Sequence, residues 1–432
     1  MGWRDEWPVG SNGEEYDGKQ ILTLVRDNAS PFRDVWNVQL LIDEIEEKLQ
    51  VEVTDIPTID KGSNNYGFHL QVRDGPDLVV RLARGDVNMP DFDGFVVERQ
   101  VAEVKFEAAT YDLLRNEAEV RASRLLYHRA PVLKPSPKVQ IPADLSGRRI
   151  FVFERSDGTN NVWKGLDAEA KIVLLDQLAR MRAALFNYCP PSDFAAKYLH
   201  SRIFDFKPHA FTLPVAPTRE FWIHVMESKV EATIKNEGDM IGWEDDEETV
   251  GPVALAAKQS LLRAIPHLLP QENSEILYRL VLEHGDFGIH NTSIITDDDR
   301  KPGVTSLYDW ETACIVPALL ADPLVAAGPV DLITNEHAEP AVTRIPGSPT
   351  AAELEAYATW SRHYITVRLN RILLTMTELY THAPDFEFAI KAGKDVHYLW
   401  FALRDWHGGE SEKFFGELGA WAEARLKDMN IP

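Results

Sequence analysis

One loop, HGDFGIHN at residues 284–291, constrains the fold more than any other part of the chain. An apolar run at residues 276–282 leads into it, and residues 292–296, TSIIT, read as a short strand leaving it. The turn DDDRKPG follows, and residues 304–308 read as a strand running back. Both arms are five residues long. A hairpin with equal arms returns Asp309 to the end where Asn291 sits, with Asp286 just upstream in the same loop.

Such a hairpin gathers two carboxylates and an amide oxygen from one short piece of chain. All three are hard oxygen donors. They suit Mg²⁺, which takes few protein ligands and leaves positions for phosphates and water. Glu311 adds a third carboxylate two residues past Asp309.

The remainder of the chain bounds the setting. At 432 residues it exceeds one ordinary core, so two domains are expected. A net charge of −23 repels phosphate backbones and argues against a nucleic-acid partner. The same charge would suit a cationic substrate, although solubility alone accounts for it. Two cysteines, Cys189 and Cys314, exclude a disulfide framework and favour a reducing compartment, so a cytoplasmic protein is expected. The opening MGWRDEWPVG lacks the apolar core of a signal peptide. The most apolar long stretch, ACIVPALLADPLVAAGPV, is too broken by Asp322 and three prolines to span a membrane.

Residues 1–30 are polar and read as an arm. Val38, Leu41, Ile42, Ile45 and Leu49 then mark one face of a helix. The loop KGSNNYG opens a hairpin in which Phe68, Leu70 and Val72 alternate with polar residues, and LVVRLA is its second strand. Residues 95–115 form a helix striped by Val97, Val101, Val104, Ala108 and Tyr111. RRIFVFERSDGTN is a strand ending in a connector, with strands dominant before it and helices after it. The resulting division is an N-lobe over 31–155 and a C-lobe over 156–432. Aromatic-rich helices occupy the chain from residue 350 onward. Their aromatics, Trp360 and Tyr364 among them, read as core or as the lining of an acceptor pocket.

HGDFGIHN followed by YDWE resembles the catalytic and metal-binding motifs of the aminoglycoside phosphotransferase and choline kinase superfamily. Among its subgroups the chain looks most like the phosphotransferases of filamentous fungi, over roughly residues 50–330. The resemblance implies an α+β, protein-kinase-like fold with a small β-rich N-lobe and a larger, mainly helical C-lobe. It implies transfer of the γ-phosphate of ATP to a hydroxyl of a small molecule. Asp286 would be the catalytic base, and Asn291 and Asp309 would hold Mg²⁺, with Glu311 as a further ligand. His284 would be structural, and Asp322 would brace the loop from a helix.

The same resemblance assigns the N-terminal half to the nucleotide. Arg81 stands where relatives carry a phosphate-anchoring lysine, and arginine binds phosphate bidentately. Its partner would be a carboxylate of the helix at 95–115. Glu107 lies about 60° from Val104 around that helix and Glu103 about 100°, so Glu107 turns inward more readily. Ser63, Asn64 and Asn65 occupy a loop whose backbone N–H groups would cradle phosphate. Glu154 and Ser156 mark the hinge that adenine would meet.

Two departures matter. Many relatives have histidine two residues after the catalytic aspartate, where this chain has Gly288 and a histidine at His290 instead. The change bears on the acceptor, not on the phosphate chemistry. Arg81 in place of lysine keeps open a nucleotide-binding relative without transfer, or a fold recruited to other work. A kinase acting on a protein side chain is the third reading.

Overall fold

The computed structural model describes residues 6–10, 13–85, 97–131, 145–203, 213–234, 246–272, 274–297, 301–335, 337, 339–379, 386–406 and 410–432. In the N-terminal part, α1 (Ile21–Arg26) and α2 (Val38–Leu49) precede the strands β1 (Val53–Lys61), β2 (Asn65–Val72) and β3 (Leu78–Ala83). Then come α3 (Val97–Leu114), β4 (Leu125–Arg129) and β5 (Ile150–Glu154). The strands form one sheet in the order β1-β2-β3-β5-β4, antiparallel throughout. Asn37 starts α2 by accepting a bond from Gln39 N at 3.0 Å, and Val38, Leu41, Ile42 and Ile45 are buried as their spacing requires.

The strand β1 was not legible as one, and the described residues 6–10 and 13–30 do not form a separate arm. Trp7, Ile21 and Leu22 belong to the same buried core as Phe32, Trp36 and Phe68. Trp7 meets Phe32 edge-on at 5.7 Å, and Glu6 pairs with buried Arg148 at 2.8 Å. A few large apolar groups, each worth about 1.5–3 kcal/mol on burial, outweigh a mostly polar composition.

The rest of the chain supplies the helices α4 (Ala168–Asn187), α5 (Ser192–Ile203), α6 (Arg219–Thr233), α7 (Asp246–Leu268) and the one-turn α8 (Ser274–Leu277). The strand β6 (Leu280–Glu283) then leads to the HGDFGIHN loop. The expected hairpin follows as β7 (Thr292–Thr296) and β8 (Pro302–Leu307), a two-stranded sheet. Next are β9 (Cys314–Pro317), β10 (Val325–Ala327), β11 (Val330–Thr334) and β12 (Pro340–Thr343). The last helices are α9 (Ala351–Leu379), α10 (Phe386–Asp405) and α11 (Ser411–Asp428). The α+β class holds, with a β-rich N-terminal part and a largely helical remainder. Strands nevertheless persist beyond the connector: β9 pairs with β6, and β10, β11 and β12 form a sheet of their own.

The chain divides into one unit of residues 1–159, 292–295 and 305–311, and a second of 160–291, 296–304 and 312–432. Backbone pairing explains why pieces of the hairpin belong to the first unit. Thr159 and Ile294 exchange two bonds of 2.9 Å, and Leu307 N donates to Arg121 O at 2.8 Å. Among the described residues, no helix is long and apolar enough to cross a membrane.

Candidate active site

In the first unit the site is built on β3. Arg81 lies opposite Gly67 of β2 and Phe151 of β5, at the middle of the sheet. Its Nη1 donates to Glu107 Oε1 on α3 at 2.8 Å, and its Nη2 donates to Asp309 Oδ1 at 3.0 Å and to Glu311 Oε2 at 3.3 Å. One planar fork thus reaches three carboxylates, which a single ammonium on a flexible stem matches poorly. Glu107 is turned inward and buried, whereas Glu103 pairs with Arg99 at a half-buried position on the same helix.

Burial pushes the Glu107 carboxyl above the usual carboxylate range, while Arg81 and Arg149 pull it back. Burial alone would lower the Arg81 guanidinium; Glu107 and Asp309 outweigh it and hold the group charged. Glu311 is half-buried, which alone would raise its carboxyl, yet Arg149 and Arg81 keep it below the usual range. With Arg81 and Arg149 against Glu107, Asp309 and Glu311, the cluster has one carboxylate more than guanidinium groups. That balance suits a cation.

Asp309 has φ +68, in the left-handed region that non-glycine residues rarely adopt. Its N–H donates to the buried Tyr111 hydroxyl at 3.0 Å, which helps hold that conformation. Glu311 uses both oxygens within this unit: Oε1 accepts from Asn64 at 2.8 Å and Oε2 from Arg149 at 3.0 Å. It therefore braces the turn between β1 and β2 through Asn64. Gly62 N donates to Asn65 O at 2.9 Å across that turn, and Arg84 clasps it through Gly62 O at 2.8 Å. At the hinge, Glu154 N is engaged by Arg124 O at 3.0 Å, and the Glu154 carboxylate pairs with Arg124 at 2.8 Å. Ser156 is half-buried beyond it. Arg149 and Arg84 were not singled out from sequence, and Tyr111 was read only as part of the apolar stripe, because the register of the sheet and helix reveals what they touch.

In the second unit the loop after β6 centres on Asp286. Gly285 has φ +82, and a Cβ there would lie 2.2 Å from Thr312 O, so glycine is required. Asn291 is buried, and its Nδ2 donates to Asp286 O at 2.9 Å and to Asp286 Oδ2 at 3.2 Å. His290 Nε2 lies 3.0 Å from the same Oδ2. The bond to His290 is the main reason the Asp286 carboxyl lies below its ordinary range. The carboxylate is therefore ionised at neutral pH, oriented by two side chains and still 56% exposed.

The histidine shift has a steric basis. A Cβ at Gly288 would come 2.6 Å from His290 Cε1 and 2.7 Å from Ala326 Cβ. The His290 ring fills the space that a side chain at 288 would need.

His284 is fully buried, and its carbonyl accepts from Thr312 Oγ1 at 3.2 Å, a structural role. Asp322 is not on a helix. It follows a short 3₁₀ turn, and its backbone carbonyl accepts from Arg182 Nε at 3.1 Å. Arg182 in turn contacts the buried Glu283 carboxylate at the end of β6. Asp322 thus supports the loop through its main chain. Among the described residues, no three His, Cys, Asp or Glu side chains form a metal-binding group.

Comparison with known proteins adds the family. The model of the phosphotransferase enzyme family matches residues 55–320. No curated protein matches the chain. Among solved structures, the aminoglycoside phosphotransferase APH(2'')-Ib with ADP is 10% identical, with 87% of this chain and 96% of that one covered at a TM-score of 0.42. The streptomycin–ATP complex of APH(2'')-IIa is likewise 10% identical, with 88% and 95% covered and a TM-score of 0.42. The macrolide 2'-phosphotransferase MphH of Brachybacterium faecium is 13% identical, with 89% and 96% covered and a TM-score of 0.38.

Proposed function

The chain belongs to the phosphotransferase enzyme family, and from that premise we propose that it moves the γ-phosphate of ATP to a hydroxyl group of a small molecule. The observation that carries this reading is the Asp286 carboxylate, ionised, exposed and oriented by Asn291 and His290. Asp286 takes the acceptor proton as the hydroxyl oxygen bonds to the γ-phosphorus. The bond from that phosphorus to the β–γ bridging oxygen breaks, and ADP leaves with the electron pair.

The residues present fit a divalent cation. Asn291 turns its amide nitrogen to Asp286, and its other terminal atom, Oδ1, is a hard donor. Asp309 belongs to a cluster richer in carboxylates than in guanidinium groups. Asn291 and Asp309 are the residues that would hold Mg²⁺. When bound, the ion neutralises phosphate charge. Arg81, oriented by Glu107, would bind phosphate, and backbone N–H groups in the turn of Ser63, Asn64 and Asn65 would cradle it. Adenine meets the chain near Glu154 and Ser156. Glu311 positions Arg81, Arg149 and Asn64.

The test is a thermal shift of the wild type and Asp309→Asn with ATP, with and without Mg²⁺. A ligand at about 1,000 times its Kd adds roughly 4 kcal/mol of stability. A Mg²⁺-dependent rise in wild type that disappears in the variant is expected. No rise at millimolar MgATP would overturn the reading in favour of a family member recruited to other work.

A further inference from the structure

A cavity of about 810 Å³ in the second unit is lined in part by Ile289 and His290, next to the Asp286 carboxylate. Its aromatic wall is Trp163, Tyr357 and Trp360. The Trp163 and Trp360 rings meet edge to face at 4.9 Å, and Tyr357 lies 5.3 Å from Trp360. Trp163 is locked in place by Gly328, where a Cβ would come 2.3 Å from the indole and where φ is +64.

Clustered aromatic rings ordinarily attract a cationic ligand. Here the chain supplies the cation itself. Lys171 of α4 sets its Nζ 5.5 Å from the Trp163 ring and 5.5 Å from the Trp360 ring. A second ammonium, Lys164, lines the same cavity. Among the described lining residues the one carboxylate is Glu353, and its Oε2 accepts from Thr350 N at 2.8 Å and Thr350 Oγ1 at 2.7 Å. That carboxylate is engaged in capping the first turn of α9.

We propose that the phosphate acceptor is a hydroxylated small molecule with a flat apolar body and an anionic group, such as a hydroxy acid. The rings take the body, Lys171 and Lys164 take the anion, and the hydroxyl points toward Asp286. The inference rests on the phosphotransferase reading for the transfer step, and it replaces the expectation that overall acidity would favour a cationic acceptor. On a chain of net charge −23, a pocket with two ammonium groups selects locally against the field of the whole surface.

The test uses three probes of one shape: 4-(hydroxymethyl)benzoate, 4-methylbenzyl alcohol and 4-(hydroxymethyl)benzylamine. Binding to the full chain without nucleotide is followed by tryptophan fluorescence, and ADP formation with MgATP is measured separately. The benzoate is expected to bind at least about tenfold more tightly than the amine, a difference of about 1.4 kcal/mol. Lys171→Gln and Lys164→Gln should each weaken the benzoate several-fold and leave the neutral alcohol within twofold. Lys171→Arg should restore benzoate binding, which separates charge from folding. Tightest binding of the amine, equal binding of all three probes, or no binding at millimolar concentration would overturn the proposal. Charge-selective binding without ADP formation would support the pocket and count against the transfer reading. ADP formation with the amine but not the benzoate would do the reverse.

Discussion

The Asn291 side-chain amide lies 2.9 Å from the Asp286 carbonyl oxygen and 3.2 Å from its carboxylate Oδ2. One buried group therefore fixes both the backbone and the side chain of the residue proposed to take the acceptor proton. Asp286→Asn keeps the shape and removes the proposed proton acceptor. It should retain MgATP binding, read as an unchanged thermal shift, while ADP formation falls by at least about a hundredfold, the lower end of general-base contributions. Wild-type turnover in this variant would refute the mechanism.

Glu107 and Glu103 stand on one helix and should respond very unequally to truncation. Glu107 is 3% exposed and pairs with Arg81, itself 13% exposed. Glu107→Ala leaves a buried guanidinium short of a partner and should cost about 3 kcal/mol in denaturant unfolding. Glu103, in a half-buried i,i+4 pair with Arg99, should cost about 0.5 kcal/mol or less. Similar losses at both positions would contradict the assignment of Arg81 and Glu107 as the buried pair.

What the sequence disclosed follows from how local the information was. Asp286, Asn291 and the arms of β7 and β8 lie within one short stretch, and the inward turn of Glu107 follows from helical periodicity alone. By contrast, β1 carries Pro57 and irregular pairing between Val53, Asp55 and Thr58, which erase the alternation that marks a strand. The strands β9 and β10 lie in an apolar run broken by three prolines, where periodicity does not separate strand from helix. The contacts of Arg149 with Glu311 and of Tyr111 with Asp309 join residues far apart in the chain. No local pattern encodes them. The Lys171 ammonium over Trp360 was hidden for the same reason.

Gly285 should tolerate nothing larger. Its φ of +82 and the 2.2 Å approach that a Cβ would make to Thr312 O both oppose alanine. Gly285→Ala is expected to lose about 1–3 kcal/mol of stability and to lower turnover by displacing Asp286. Gly416 in α11 is a control, since the nearest atom to a Cβ there is Val253 Cγ1 at 3.8 Å. Alanine at 416 should gain up to about 1 kcal/mol from helix propensity. Equal and unchanged melting temperatures for the two variants would show that the tight turn before Asp286 carries no strain.

Glu283, at the end of β6, gives the pH dependence of the fold. Burial pushes its carboxyl up to about 7, against the opposing pull of Arg182. The ordinary value, 4.5, applies to the unfolded chain, so between these values the folded state binds the extra proton. Its contribution to stability is therefore fully present below about pH 4.5 and is lost as pH rises through 7. The span corresponds to at most about 3 kcal/mol. Glu283→Gln has no proton to lose and keeps an oxygen acceptor for Arg182. Urea unfolding at pH 5 and pH 8 should show wild type losing more stability than the variant across that interval. Parallel losses in the two proteins would mean that Glu283 is ionised throughout, held by Arg182 as a permanent ion pair at the start of the Asp286 loop.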